Sequence, residues 1–433
     1  MPVHEPTKSD GMGRRDFMVQ SAAGAALILA AEPGSDAAGQ EAREKMSAKD
    51  FRAKLLECLG GAWPEPCDLK PVLRETIRKD GYRIESVFYE VEPGDRVPAM
   101  LLVPDGVNAD HPAPAVAIWH QHNGEWHLGK TEPAGLAGNP MHHTGVGLVR
   151  EGYVVLCPDA LCFEERQSPD LPGGNFERFE FLRYVVAGKC MAWKNVLDMR
   201  RAVDYLCQRP EVDRDRIGCY GHSMGSTHTW LVGPWEPRLK CLVGNCCLPT
   251  YAAIHRTHLL HCFPNFIPGL FAYGDTPDIA ALIAPRALHL NFGELDGGSP
   301  IQEVREGILR IAQAYQEAGA AEAFSVWVDR MRALDREARR NEIANLPRAA
   351  EFSGLAANDP VDLNAGVSRC GELLSAADFQ NGEHRAALRK NALVPDEYLL
   401  LWRVLGIYPV ARLFVSRGVS NWHTEARGGF TTK

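Results

Sequence analysis

Between residues 82 and 328 the chain alternates two kinds of apolar pattern, and that alternation is its main structural signal. Residues 113–119 form a continuous apolar run, as a strand buried on both faces requires. Residues 153–156, 240–244, 287–292 and 324–328 repeat it. Between them lie helical patterns. In 198–207, Met199, Ala202, Val203 and Leu206 recur at helical spacing, and 301–318 behaves likewise. Residues 82–91 and 97–103 instead alternate as half-buried strands, joined by the turn Glu92-Pro93-Gly94-Asp95. Upstream, residues 48–58 predict a helix with Phe51, Leu55, Leu56 and Leu59 on one face, followed by a link rich in Gly60, Gly61, Pro64 and Pro66. Strands alternating with helices predict a mainly parallel sheet with right-handed crossovers.

One stretch carries chemistry. The apolar segment Arg216-Ile217-Gly218-Cys219-Tyr220 runs into Gly221-His222-Ser223-Met224-Gly225-Ser226, and Thr227-His228-Thr229-Trp230-Leu231 continues as a helix. Gly-x-Ser-x-Gly between a strand and a helix is a nucleophile elbow. Its serine sits on a strained turn, so the flanking Gly221 and Gly225 must lack a Cβ. The helix that follows aims N–H groups at the place where negative charge develops.

Around this motif the chain resembles the α/β-hydrolases of the dienelactone hydrolase and acetyl xylan esterase kind. The resemblance rests on Val154-Val155-Leu156-Cys157-Pro158-Asp159-Ala160, on Asp213-Arg214-Asp215-Arg216-Ile217-Gly218, and on Ile283-Ala284-Pro285-Arg286-Ala287-Leu288 with Gly293-Glu294-Leu295-Asp296. It implies an α/β-hydrolase fold: a mainly parallel twisted sheet, helices on both faces, antiparallel strands at its start. It also implies a Ser, Asp or Glu, His chain order. Ser223 would be the nucleophile and Asp296, just after a buried strand, the orienting acid. Glu294 is the nearby alternative, and Asp in Asp-Gly-Gly is also an ordinary turn residue. The oxyanion hole would use the backbone N–H of Met224 and one near His122, in the loop after 113–119. Gln121 stands where relatives carry glycine, which leaves the second donor open.

The resemblance stops abruptly. Relatives place Gly-His shortly after the strand at 324–328, whereas this chain reads Asp329-Arg330-Met331-Arg332-Ala333-Leu334-Asp335-Arg336. Only His384 and His423 follow. Either His384 folds back as the base, or the tail is not the family's tail; the base stays unassigned.

Composition narrows the class without changing it. The chain has 433 residues, 45% hydrophobic and 24% charged, with a net charge of -8. Its length exceeds one typical domain. Without a basic patch no nucleic-acid partner is expected. Gly13-Arg14-Arg15-Asp16-Phe17-Met18 resembles a twin-arginine export signal, and a weakly apolar run and small residues follow to Ala37-Ala38. The expected layout is a signal over 1–38, a helical arm over 39–81, the hydrolase domain over 82–329 and a tail over 330–433, in a periplasmic or secreted protein with no membrane span after signal removal. The 12 cysteines form no framework; a Cys58–Cys67 bridge would suit an oxidising compartment.

His120, His122, His127, His142 and His143 suggest a zinc site, but no carboxylate accompanies them at a recognisable spacing, so no metal and no cofactor are expected. Glu164 or Glu165 is expected to pair with Arg166. Trp193, Trp230 and Trp235 are core residues by default, or walls of a sugar pocket. The function implied is serine-dependent hydrolysis of a small-molecule or carbohydrate ester through an acyl-enzyme on Ser223. The alternatives are a prolyl-oligopeptidase-like peptidase and a hydrolase-fold protein crippled by the missing histidine. The oligomeric state is not legible.

Overall fold

The computed structural model describes residues 46–293, 296 and 298–329. The signal, the tail, His384, His423 and Glu294 lie outside the described residues.

Helix α1 (Ala48–Leu59) starts where the Ser47 hydroxyl accepts the Asp50 N–H at 3.1 Å. It ends at Gly60, whose φ of 115° favours glycine. Phe51, Leu55 and Leu59 are its buried face. Strand β1 (Val72–Lys79) was not expected: almost every residue in it is exposed, so no apolar alternation marks it. It is a charged edge strand, antiparallel to β2 (Tyr82–Glu92). Strand β3 (Asp95–Pro104) returns from the turn at Gly94.

From there the chain alternates. β4 (Ala113–Trp119), α2 (Thr144–Arg150), β5 (Val154–Pro158), α3 (Gly174–Val186) and α4 (Met191–Gln208) come first. Then follow β6 (Val212–His222), α5 (Met224–Val232), β7 (Leu239–Asn245), α6 (Tyr251–Thr257), α7 (Thr276–Ala281), β8 (Ala287–Gly293), α8 (Ile301–Glu317) and β9 (Phe324–Asp329). The sheet order is β1-β2-β3-β5-β4-β6-β7-β8-β9. The pairs among β4 to β9 are parallel, and β3 meets β5 antiparallel.

β4 shows why a continuous apolar run suits this place. Ala115, Ala117 and Trp119 join a core that also holds Leu55, Val196, Leu231, Ile279 and Ile311 from α1, α4, α5, α7 and α8. Val116 and Ile118 face the other way, into a core completed by Leu148 and Val149 of α2. Alternate side chains therefore enter opposite layers, with helices on both faces. Register aligns the strand ends: Trp119 with Gly221, His222 with Asn245, Asn245 with Asn291, Gly293 with Asp329. The loops that leave those ends share one edge, where ligands bind in open α/β sheets.

Buried charge ties two of these loops together. Lys130, after β4, is 0% exposed. Its ammonium reaches Asp159 at 2.9 Å, Glu164 at 2.5 Å and Glu165 at 2.9 Å, in the loop after β5. Burial alone would depress its pKa, but Asp159 and Glu164 outweigh that and raise it to about 12. The expected pairing of Arg166 with Glu164 or Glu165 is thereby corrected. Arg166 instead reaches Asp198 at 2.7 Å and Asp95 at 3.6 Å, because the buried lysine claims both glutamates. The carboxylates of Asp159, Glu164 and Glu165 converge closely enough for a metal, but the Lys130 ammonium already supplies the neutralising charge. Lys130→Met is expected to cost about 3–5 kcal/mol, since it leaves buried carboxylates uncompensated. Urea unfolding monitored by circular dichroism would show this; a midpoint equal to the parent's would contradict it.

Cys58 and Cys67 are separate thiols, so the bridge that would suit an oxidising compartment is not formed. Among the described residues no helix is long and apolar enough to cross a membrane.

Candidate active site

Ser223 occupies the point where β6 ends and α5 begins, at φ 56° and ψ -114°. A non-glycine residue with positive φ is strained and persists only where the surroundings fix it. They do so here through backbone. The Ser223 N–H donates to the Asn245 carbonyl at 2.9 Å, and the Ser223 carbonyl accepts from Ser226 at 2.9 Å and Thr227 at 3.2 Å. The two flanking glycines are explained by close approach. A Cβ on Gly221 would lie 1.9 Å from the Gly225 carbonyl oxygen, and one on Gly225 would lie 1.9 Å from that of Trp119. The motif spacing thus reflects helix α5 pressed against strands β6 and β4.

Met224 is the first residue of α5. Its N–H belongs to the helix's first turn, which has no intrahelical acceptor. His122 lies in the loop after β4, the strand paired with β6, so its backbone is on the elbow's side of the sheet. Gln121 is buried and its amide donates to Glu132 at 2.9 Å. The loop absorbs this side chain by giving it that partner.

The histidines of this region do not converge. His120 Nε2 accepts the Ala160 N–H at 3.0 Å, which leaves Nδ1 to donate to the Gln121 carbonyl at 2.8 Å. Burial holds its pKa down at about 4, so it stays neutral. His122 bonds Glu177 at 2.8 Å. The His143 ring lies 3.0 Å from the Ala137 carbonyl, and His142 lies against His222 with ring centres 5.1 Å apart. His127 is exposed. Among the described residues no histidine joins a cluster able to hold a metal.

Asp296 follows β8, two strands from the elbow. Its side chain accepts the Gly298 N–H at 2.7 Å and its own N–H donates to the Gly293 carbonyl at 3.1 Å. The turn use of Asp and a place at the sheet edge that carries Ser223 are therefore both present. His261, which the sequence pattern did not single out, lies beside this turn. A Cβ on Gly298 would be 3.2 Å from Asp296 Oδ1 and 4.0 Å from His261 Cε1. Burial lowers the pKa of His261 to about 4. β9 ends at Asp329, and the sequence after it carries no histidine before His384.

The tryptophans belong to the core. Trp230 is fully buried and donates to the Cys247 carbonyl at 3.1 Å; Trp193 donates to Gly61 at 3.0 Å and stacks on Trp63. Trp235 meets Trp63 edge-on. Glu177, fully buried beside His122, is a further site residue missed in the sequence, where nothing in spacing links positions 55 residues apart.

Comparison with known proteins agrees with this architecture. The chain is 29% identical over 284 residues to YtaP of Bacillus subtilis (strain 168), a protein provisionally named a hydrolase; the match covers 64% of this chain and 90% of that one. A crystal structure from Bacteroides fragilis NCTC 9343, provisionally named an acetyl xylan esterase, superposes with a TM-score of 0.54 at 18% identity. That match covers 72% of this chain and 82% of the other, and shows the fold alone. The Abhydrolase family model matches residues 48–363, which contain the sheet, the elbow and the Asp296 turn. With that match spanning most of its length, the chain belongs to the Abhydrolase family of α/β-hydrolases.

Proposed function

We propose that the protein hydrolyses a carboxylic ester, with an acylated carbohydrate as the substrate class, through an acyl-enzyme on Ser223. The observation that carries this reading is the strained φ of 56° at Ser223, held between β6 and α5 by backbone bonds. Family membership supports hydrolysis. Ser223 Oγ attacks the ester carbonyl, and its proton passes to a base. The N–H groups of Met224 and His122 receive the oxyanion, each contributing about 3–4 kcal/mol to the barrier reduction. The alcohol leaves with the proton, and water then releases the acid by the reverse sequence. Asp296 orients the base.

The base itself has two accounts. His384 folds back over the sheet edge, or the tail from Arg330 lacks a base and activity falls to what the oxyanion hole and binding supply. Both accounts start from the text after β9, which holds no histidine before His384. Steady-state turnover of 4-nitrophenyl acetate by the purified full chain separates them. If His384 is the base, His384→Ala lowers kcat by about 10²–10⁴, the usual contribution of general base catalysis. If the base is lost, parent and variant turn over equally, at a residual rate roughly 10³ above water. A parent rate equal to that of buffer would reject the esterase reading in both forms.

A further inference from the structure

We propose that Glu177 is a positioning residue that clamps the His122 loop and so fixes the second oxyanion donor. The inference rests on the reading of that loop as part of the oxyanion hole.

Glu177 lies in the first turn of α3 and is 0% exposed. A buried carboxylate needs strong donors, and two are given to one oxygen. Oε2 accepts from His122 Nε2 at 2.8 Å and from Trp126 Nε1 at 2.8 Å. One atom therefore grips the loop at two side chains four residues apart. The imidazole is fixed from its other side as well: His122 Nδ1 accepts the Gly124 N–H at 2.9 Å. An accepting Nδ1 leaves the proton on Nε2, directed at Glu177. Both ring nitrogens are committed, so His122 has no free nitrogen to act as a base. Its side-chain role is to hold its own backbone.

The surroundings reinforce the grip. Trp126 and Phe163 meet the His122 ring edge-on, with centres 5.2 Å and 5.0 Å away. The Trp126 carbonyl accepts from the Glu164 N–H at 2.8 Å and from Gln167 Nε2 at 2.8 Å. Oxyanion donors work because they are already in place when charge develops. A loop after a strand is otherwise among the softer parts of a fold. The carboxylate, carried on a helix, converts the loop into a fixed one.

Among the described residues only Oε2 is engaged, and Oε1 is buried without a partner. The carbonyl of a glutamine can therefore keep both bonds, and the amide NH2 takes the unbonded place. This makes the conservative variant informative. The experiment compares the full chain with Glu177→Ala, Glu177→Gln and Trp126→Phe, using kcat and KM on 4-nitrophenyl acetate together with amide hydrogen exchange over residues 120–126. Glu177→Ala should lower kcat by about 10–100-fold, as a small misplacement of a reacting group does, with KM within about twofold. Exchange in the loop should accelerate. Glu177→Gln should restore both, and Trp126→Phe, which removes one of the two donors, should lie between. Loop exchange unchanged in Glu177→Ala would overturn the clamp, as would Glu177→Gln behaving like the alanine variant. If the parent shows no turnover, the ester reading fails, and the exchange measurement alone still decides the clamp.

Discussion

Where a base completes the triad, Ser223→Ala is expected to cut ester turnover to the residual level while leaving the fold intact. Loss of an attacking serine in a serine hydrolase costs about 10⁶ in kcat when the full machinery is present. The remaining rate is the residual catalysis of donors and binding, about 10³–10⁴ over water. The fold should survive for a local reason. Among the described residues the bonds that hold the elbow come from the Ser223 N–H and carbonyl, not from its hydroxyl. Alanine has the same Cβ as serine, so the strain at φ 56° is unchanged. Where His384→Ala shows that a base is present, a Ser223→Ala variant that keeps the parent's turnover would move the nucleophile elsewhere; in a chain whose tail supplies no base, parent and variant should both sit near the residual rate. A variant that unfolds would show that the hydroxyl itself holds the turn.

Asp296→Asn is expected to lower kcat by about 10⁴, the effect of removing the acid that orients the catalytic imidazole. Asparagine keeps a side-chain oxygen for the Gly298 N–H, which Asp296 now accepts at 2.7 Å, so the turn should persist. Substrate binding should change little, and the loss should fall on kcat and kcat/KM alike. Steady-state kinetics on an acetyl ester check it. Activity within tenfold of the parent would assign the acid to Glu294 or to another group. In a chain whose tail supplies no base the same substitution should have almost no effect. The Asp296→Asn and His384→Ala variants must therefore agree with each other.

Sequence and structure agree best where the physics is local or periodic. β4, β7 and β8 are continuous apolar runs because both faces of the sheet are covered. The elbow is legible because its glycines answer to backbone contacts within a few residues and one neighbouring strand. β1 was illegible because an edge strand with both faces wet carries no apolar period. α4 begins at Met191, earlier than the amphipathic stripe from 198 suggested, because its first turns are buried nearly all round. Long-range polar pairing was the least legible. Arg166 was expected to take its neighbour Glu164 or Glu165, yet Lys130, distant in sequence, takes both. Glu177 and His261 likewise depend on which loops the sheet order brings together, and no spacing rule encodes that.

The nucleophile is tested most directly by covalent labelling. The full chain is treated with a fluorophosphonate probe and the adduct is mapped by peptide mass spectrometry. The account predicts a single adduct on the peptide carrying Gly221-His222-Ser223-Met224-Gly225, absent from the Ser223→Ala variant. An adduct on another residue, or labelling that persists in Ser223→Ala, would contradict it.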